Sequence, residues 1–312
     1  MESGIRRIRR IFEYCGARIF LTCLAWLPWK AAHWLGRRLG DVWLLVDAKR
    51  RKTVELQSTE RLGLPPNEIR SFTRRTFRNI GMVFAEFARL SRLRREDFFR
   101  YVDFAGFDGF CRSLLSEGCG LVIVTAHYGN WEWGNAIAGL LGASGGSIAR
   151  PLDNPRLDGY VKKIRERNGL RIYDKQGALR QALRTLRNNG VVGVLLDQDA
   201  GSRGLMSPFL GRLASTVPEP VELALRAGSP LVAAVLRRSA DGRRFVVRYN
   251  PIPHRPNPDR SPDETIRELV NDLNSDLSRF ILEEPDQWFW IHRRWKSTGR
   301  ESLPARNRQD RR

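Results

Sequence analysis

The 312-residue sequence lacks a long hydrophobic run and has few cysteines. No stretch of 18 or more apolar residues marks an obvious membrane-spanning helix. The cysteines form no CxxC pair and have no histidine companions at zinc-ligand spacing, which argues against a zinc knuckle and a redox dithiol. We interpret them as reduced, buried packing residues of a protein that faces the cytoplasm. They are Cys15, Cys23, Cys111 and Cys119.

Acidic residues are scarce relative to basic ones, since 34 Asp and Glu against 54 Lys and Arg give a formal net charge of +20. This excess predicts an anionic partner: nucleic acid, an acidic membrane surface or an acidic carrier protein. The alternative is a soluble protein that is merely basic. Basic residues recur from Arg6 to Arg312 and form no single recognition helix. Their spread favours a broad anionic surface, and we expect no nucleic acid partner.

Several catalytic motifs are missing as well. The sequence contains no GxxxxGK[ST] phosphate loop and no dinucleotide-binding fingerprint. A zinc hydrolase of the HExxH type is disfavoured, because His33, His254 and His292 are remote in sequence from the fourth histidine, His127. Residues 142–146 match GxSxG but follow a predicted helix rather than a buried strand, so we interpret them as a glycine-rich helix stop.

The N-terminal segment combines four arginines in the first ten residues with an apolar stretch from Ile19 to Trp29. No small-residue cleavage pattern follows, so we predict an uncleaved membrane anchor rather than a signal peptide. The stretch is about half of the ~20 residues that a perpendicular span needs, so spanning and interfacial placement both stay open. Trp26, Trp29 and Trp34, with basic neighbours, resemble an interfacial belt. The alternative is an ordinary amphipathic core helix.

Hydrophobic periodicity divides the chain into a helical region at 1–100, an α/β catalytic region at 101–298 and a disordered basic tail at 299–312. Apolar spacing of three and four predicts helices at 39–57, 66–92 and 95–98. Beyond residue 118, strands are predicted at 121–126, 147–150, 171–174, 191–197 and 231–237. They alternate with helices near 131–141, 155–168, 177–188 and 217–227, and a long helix follows near 263–282. This alternation predicts a mixed, mostly parallel sheet flanked by helices, with 243–250 as an antiparallel hairpin partner.

The sharpest local feature is the sequence VIVTAHYGNWEWGN, in which a predicted buried strand ends at Ala126 and His127 follows at once. In an open α/β sheet, the carboxyl ends of the strands face the ligand crevice. Glu132 reaches His127 only if the histidine lies in a turn, because residues five apart on one helix point about 140° away from each other. There Glu132 would fix the imidazole tautomer, and Asn130 would cap the helix. The alternative is a lone hydrogen-bonded histidine at a strand end.

Four segments of the sequence resemble the late acyltransferases of lipid A biosynthesis, over about residues 8–298. The segment from His127 to Glu132 is similar to the HxxxxE motif of that family. The other matching segments are RPLDNP at 150–155, DQDAG at 197–201 with SPFLG at 207–211 and AST at 214–216, and PDQWFWIHRRWK at 285–296. The resemblance implies a fold of the glycerolipid-acyltransferase type and catalysis without a metal or redox cofactor.

The resemblance also implies roles for individual residues: His127 is the general base, Glu132 its partner, and Arg165 and Asp197 are matched positions needed for activity. Asp197 closes a predicted strand and should reach the same crevice as His127. A guanidinium at Arg165 could hold a phosphate or a developing oxyanion. Taken singly, Arg165 and Asp197 would also suit structural ion pairs. The candidate substrate-binding residues are Arg165, Asp197, Arg150 and Asn130.

The function implied is transfer of a fatty acyl chain from acyl carrier protein to the hydroxyl of a 3-hydroxyacyl group on a lipid A precursor. The expected location is the cytoplasmic face of the inner membrane, and the net positive charge suits both acidic substrates. Three alternatives stay open. One is acylation of another glycolipid, such as a phosphatidylinositol mannoside, or of an amino lipid. Another is acyl-CoA as donor, and the third is a non-catalytic basic membrane- or nucleic-acid-binding protein.

The closing segment, residues 288–296, is both aromatic and basic. One interpretation places it at the membrane face or against an acidic substrate. The other is core packing of a C-terminal segment against the sheet.

Overall fold

The computed structural model of the chain describes residues 4–142, 144–167, 169–173, 177–255, 257 and 259–298. Its N-terminal region is helical, as predicted. The helices are α1 (Gly4–Trp26), α2 (Trp29–Val46), α3 (Ala48–Leu62), α4 (Pro66–Arg89) and α5 (Arg95–Tyr101). The predicted helix at 39–57 is divided at Asp47, whose carboxylate accepts a hydrogen bond from the backbone N–H of Arg50 and so caps α3.

Seven strands form one mixed sheet in the order β1-β9-β8-β2-β5-β3-β4. They are β1 (Val102–Asp103), β2 (Leu121–Thr125), β3 (Gly145–Ile148), β4 (Arg171–Tyr173), β5 (Val191–Leu195), β8 (Leu231–Arg238) and β9 (Phe245–Tyr249). Neighbouring strands run parallel except β8 and β9, which form the antiparallel hairpin. The predicted mixed, mostly parallel sheet is therefore confirmed.

Helices flank this sheet at the predicted positions. They are α7 (Trp131–Gly139), α8 (Pro155–Glu166), α9 (Ala178–Arg187), α10 (Glu219–Ala227) and α11 (Pro262–Glu283). The sequence did not predict β1, α6 (Phe107–Leu115) or a separate hairpin of β6 (Leu205–Phe209) and β7 (Arg212–Thr216). The hairpin lies against α11, where the side-chain amide of Asn274 donates to Ser207 Oγ and Thr216 Oγ1.

Close contact between α2 and α4 depends on three glycines. Gly36 and Gly40 of α2 face Gly81 of α4, and a Cβ atom at any of the three positions would collide with backbone atoms of the opposite helix. The two helix backbones can approach this closely only because those side chains are absent. In the C-terminal half of α4, Glu86 is fully buried and pairs with Arg238 of β8.

The exposure of the three N-terminal tryptophans matches the predicted interfacial belt only in part. Trp26 and Trp34 are exposed, but Trp29 stacks on Tyr101 with ring centroids 5.0 Å apart and donates from Nε1 to the carbonyl of Gly242. Trp29 is therefore a packing residue, because the turn between α1 and α2 directs its ring into the protein.

The closing segment packs in the core, which corrects the membrane-face interpretation for four of its residues. They are Trp288, Trp290, Arg294 and Trp295, all buried. The predicted burial of every cysteine is wrong, since Cys15 and Cys23 lie on exposed parts of α1 and Cys119 is only partly buried.

Among the described residues, no helix combines the length and the apolar character needed to cross a membrane. Anchoring by the N-terminal helix therefore stays a prediction, as does the domain boundary at residue 100. The predicted basic tail at 299–312 lies outside the described residues.

Candidate active site

Two neighbouring parallel strands bring His127 and Asp197 together. In the register of β2 with β5, Thr125 is the partner of Leu195. His127 and Asp197 each lie two residues beyond these partners, at the carboxyl edge of the sheet. Nδ1 of His127 is 2.8 Å from Oδ1 of Asp197. The two residues therefore meet at one edge of the sheet, where Asp197 is fully buried and contacts the imidazole itself.

Asp197 is fully buried and held from several sides. Its Oδ2 accepts hydrogen bonds from the backbone N–H of His127 at 2.8 Å and from Nε1 of Trp288 at 2.7 Å. Burial alone would raise the pKa of Asp197, but the imidazoles of His127 and His292 and these hydrogen bonds hold it well below its ordinary value. The side chain is thus a carboxylate that only accepts hydrogen bonds.

This carboxylate determines the tautomer of His127. Since Asp197 offers no proton, Nδ1 of the neutral imidazole must carry the hydrogen, which leaves the lone pair on Nε2. The ring packs between Trp131 and Phe289, with centroids 5.3 and 5.6 Å away. Asp197 therefore performs the tautomer-fixing function that the sequence assigned to Glu132.

Glu132 lies in the first turn of α7 and pairs with Arg165 on α8. Nε and Nη2 of Arg165 donate to the two carboxylate oxygens at 2.8 and 2.6 Å. Burial lowers the pKa of Arg165, but the hydrogen bonds and charge of Glu132 outweigh it and the net shift is upward. Two of the five guanidinium N–H donors are engaged by Glu132, and three remain for other partners. A catalytic contribution of Glu132 stays a prediction.

Asn130 has a structural function in the turn that follows His127. Its Oδ1 accepts from the backbone N–H of Trp133 and caps α7, as predicted. Its Nδ2 donates to Glu86 at 2.7 Å, and the side chain is fully buried. Asn130 is thus turned away from solvent, which argues against the predicted contact with substrate. Gly129, with a φ of 55°, allows the turn to pass against the backbone of Leu236.

A cavity of about 670 Å³ opens beside His127, Glu132 and Arg165. Its volume is within the range of about 300–1,000 Å³ that is typical of small-molecule sites. Most of its lining is apolar and comes from the sheet and from α7, α9 and α10, including Ile137, Ile172, Leu179, Val194, Leu223 and Val235. Arg150 is exposed and contributes to the lining two residues beyond the end of β3. In the described part of the chain, no cluster of three or more His, Cys, Asp or Glu side chains could hold a metal ion.

Two residues of the closing segment support the site in a way that the sequence did not reveal. His292 donates from Nε2 to the backbone carbonyl of Asp197 at 2.8 Å, and Trp288 binds the carboxylate. Burial lowers the pKa of His292 to about 4, so the ring is neutral near pH 7. These residues lie about 90 positions from Asp197, so local pattern gave no signal of either contact.

Comparison with known proteins agrees with the resemblance that the motifs indicated. The model of the bacterial lipid A biosynthesis acyltransferase family matches residues 5–297. A lipid A biosynthesis lauroyltransferase of Escherichia coli (strain K12) is 27% identical over 286 residues, which cover 90% of each chain. The palmitoleoyltransferase of the same organism is 25% identical over 89% of each chain. A lipid A biosynthesis acyltransferase of Haemophilus influenzae is 24% identical over 94% of this chain and 92% of its own.

The family match spans every residue of the candidate site, from those that line the cavity to the closing segment that contacts Asp197. The chain therefore belongs to the bacterial lipid A biosynthesis acyltransferase family and is an acyltransferase.

Proposed function

We propose that the protein transfers a fatty acyl chain from an acyl carrier protein thioester to a free hydroxyl of a lipid A precursor. One observation carries the proposal most strongly: the His127–Asp197 pair lies at a largely apolar cavity of about 670 Å³. An acyl chain fits an apolar lining, and the imidazole of His127 lines the same cavity, where it can accept a proton from a bound hydroxyl. Family membership supports lipid A as the acceptor.

In the proposed reaction, Nε2 of His127 accepts the proton of the acceptor hydroxyl while the oxygen attacks the thioester carbonyl carbon. The carbon–sulfur bond then breaks, and the leaving thiolate takes the proton back from the imidazolium. The products are an ester and a free thiol, so proton and electron pairs balance. Asp197 stabilises the imidazolium during the step, because its carboxylate contacts Nδ1.

Arg165 is proposed to stabilise the oxyanion that forms on the carbonyl oxygen. Both residues of the Glu132–Arg165 pair line the cavity together with His127. Glu132 orients the guanidinium through two hydrogen bonds and leaves three N–H donors for the substrate. A fixed cation close to a developing negative charge is worth far more in a site shielded from water than in solution.

The net charge of +20 supports two acidic substrates, a carrier protein and a phosphorylated lipid. Arg150, exposed at the cavity, is our candidate for contact with an acceptor phosphate, because a guanidinium binds phosphate oxygens in pairs.

The test is transfer of a labelled acyl chain from acyl carrier protein to a purified lipid A precursor, followed by mass analysis of the product. We expect His127→Ala to lose a factor of about 100 or more with normal folding. Glu132→Gln should lose a smaller factor, because Glu132 acts by orienting Arg165. Cys23→Ser is the control and should retain full transfer, because its thiol is exposed on α1. Wild-type rates in His127→Ala would refute the mechanism. Transfer to another glycolipid or an amino lipid, but to no lipid A precursor, would refute the acceptor alone.

We further propose that α1 lies in the interface of the inner membrane on its cytoplasmic side. Ile8, Phe12, Ile19 and Trp26 lie on one stripe of α1, and Phe12 and Trp26 are 73% and 68% exposed. Arginines in the first ten residues flank this stripe, as in helices that bind anionic lipid surfaces. The four unpaired cysteines agree with a reducing compartment.

Binding to vesicles that contain anionic phospholipid tests this placement. The double substitution Phe12→Ser with Trp26→Ser should lower the bound fraction about tenfold, because two large apolar side chains would be lost from the interface. Ile252→Ser is the matched control, since Ile252 is 71% exposed on a loop after β9. Equal binding by the double variant and the control would show that α1 does not contact the membrane.

A further inference from the structure

A second buried charge cluster lies outside the cavity, centred on Glu86 of α4. The Glu86 side chain is fully buried, and Arg238 at the end of β8 is 3% exposed. Nε and Nη2 of Arg238 donate to the two oxygens of Glu86 at 2.7 and 2.8 Å. The proposed reaction uses neither residue. Neither is among the residues that line the cavity.

Glu86 contacts three separate parts of the molecule. Besides Arg238 on the sheet, its Oε2 accepts from Nδ2 of Asn130 at 2.7 Å, in the turn between His127 and α7. Its Oε1 lies 2.8 Å from Nε2 of His33, on α2. The backbone carbonyl of Glu86 also accepts from Nε1 of Trp133 at 3.0 Å. One residue therefore joins the helical region, the sheet and the turn that carries the catalytic histidine.

The same turn is attached to Arg238 by a second route. The backbone N–H of Gly129 donates to the carbonyl of Gln287. The side chain of Gln287 in turn accepts from the backbone N–H of Arg238 and donates to its carbonyl. The backbone N–H of Asn130 donates to the carbonyl of Leu236 on β8. The turn thus has its backbone fixed by β8 and its side chain fixed by Glu86.

We propose that Glu86 is a positioning residue for the acyl transfer, acting through Asn130 to hold His127 and Glu132 at their places beside the cavity. The inference rests on the proposed function, in which these two residues act on substrate. Asn130 connects Glu86 to the turn. Its Oδ1 caps α7, and its Nδ2 donates to the carboxylate of Glu86. A displacement of about 1 Å at reacting groups can cost a factor of 100 in rate, so an attachment of this kind has a measurable effect on turnover.

Asn130→Ser separates the two functions of the amide. Serine is also a good N-cap, so α7 keeps its cap, whereas the hydrogen bond to Glu86 is lost. Asn250→Ser is the matched control, because Asn250 likewise accepts from a backbone N–H, that of Ile252, and donates to a carboxylate, that of Asp276. We expect kcat to fall about 10- to 100-fold in Asn130→Ser, with KM for the thioester nearly unchanged. Asn250→Ser should keep the wild-type kcat.

Two charge-balanced variants test Glu86 itself without leaving Arg238 unpaired. In the first, Glu86→Leu with Arg238→Met, residue 86 has no acceptor for Asn130. In the second, Glu86→Gln with Arg238→Met, residue 86 keeps an amide oxygen that can accept from Asn130. A positioning role predicts a low kcat in the leucine variant and partial rescue in the glutamine variant. Equal, wild-type kcat in both folded variants would overturn the proposal, as would equal kcat in Asn130→Ser and Asn250→Ser.

Nitrogen chemical shifts of the imidazoles give a readout that does not depend on turnover. The chain has four histidines, so ¹⁵N-histidine spectra are simple. In Asn130→Ser we expect the His127 signals to show loss of the single Nδ1–H tautomer, while Asn250→Ser keeps it. Unchanged His127 signals in Asn130→Ser would overturn the positioning role of Glu86. This readout needs no turnover, so it tests that role even if the wild-type protein acylates no acceptor. Absence of acylation by the wild type would refute the proposed function instead.

Discussion

Two fully buried carboxylates contact the turn that begins at His127: Asp197 contacts His127 itself, and Glu86 contacts Asn130. Each has a pKa below its ordinary value, because cationic or donor partners outweigh the effect of burial. They differ in what their partners contact. Asp197 binds an imidazole that lines the cavity, whereas Glu86 contacts a guanidinium, an amide and the His33 imidazole, all of which are buried and lie outside the cavity lining.

Burial and a lowered pKa therefore do not identify a catalytic carboxylate on their own. The partner of Asp197 can exchange a proton with a substrate, because one imidazole nitrogen is left for it. The partners of Glu86 are an arginine, which stays protonated, an asparagine, which does not titrate, and the imidazole of His33, which is buried and does not line the cavity. Under the proposed mechanism, the same chemical group serves proton transfer in one region and the positioning of other residues in the other.

The largest effect is expected when the Asp197 carboxylate is replaced by an amide. Asp197→Asn replaces an acceptor by an amide that can donate to Nδ1, so the hydrogen of His127 moves to Nε2 and the base is lost. We expect kcat to fall by a factor of about 1,000–10,000. The measurement is acyl transfer at saturating donor. Asp199→Asn is the control and should stay near wild type, since the Asp199 carboxylate accepts from Ser297 Oγ instead. Similar losses in both variants would contradict the assignment.

The second largest effect is expected on stability when the buried charge of Glu86 is removed. Glu86→Gln alone leaves Arg238 buried without its counter-charge, which should lower the free energy of unfolding by about 3–5 kcal/mol. Chemical denaturation measures this change. Glu117→Gln, in an exposed ion pair with Arg255, should cost less than about 1 kcal/mol. Equal losses would show that burial of the Glu86 pair has no special weight.

The buried imidazole of His292, which donates to the backbone carbonyl of Asp197, should make stability depend on pH. Its pKa is lowered by burial from 6.5 to about 4, so the folded state disfavours the protonated ring. Its contribution is therefore fully present above pH 6.5 and is lost as the pH falls toward 4. The loss is on the order of 3 kcal/mol, because one pKa unit corresponds to about 1.4 kcal/mol.

His292→Gln keeps a donor for the carbonyl of Asp197 and removes the titration. The difference in unfolding free energy between wild type and this variant should shrink from pH 7 to pH 4. Parallel stability curves for the two proteins over this range would contradict the buried, neutral state of His292.

The smallest expected effect concerns Arg165, whose partner Glu132 lies at the cavity. Arg165→Lys keeps the charge but loses the paired hydrogen bonds, and we expect kcat to fall about tenfold. An oxyanion role predicts the same factor on phosphorylated and dephosphorylated acceptors. Arg150→Ala should instead lose activity on the phosphorylated acceptor alone. A loss for Arg165→Lys that appears only with the phosphorylated acceptor would make Arg165 the phosphate-binding residue.

Sequence pattern predicted the sheet because its strands are short apolar runs bounded by turn residues. The same logic missed the β6–β7 hairpin, where Pro208 interrupts the alternation within a strand. The exposure of individual side chains was predicted less well than the positions of helices and strands. Trp26 and Trp29 are near neighbours in one apolar stretch, yet one is exposed and the other packs against Tyr101. A helix break at Pro28 decides this difference, and composition does not reveal it.

Local sequence pattern was enough to predict that His127 follows a strand, that Asn130 caps the next helix and that the chain resembles an acyltransferase family. Which carboxylate each group contacts depends on the fold of the whole chain. Asp197 reaches His127 because β2 and β5 are neighbours in register, although 70 positions separate the two residues. Glu132 is the nearer carboxylate in sequence, but the first turn of α7 directs it to Arg165. Strand order and helix packing set these partners, and both depend on contacts between remote segments of the chain.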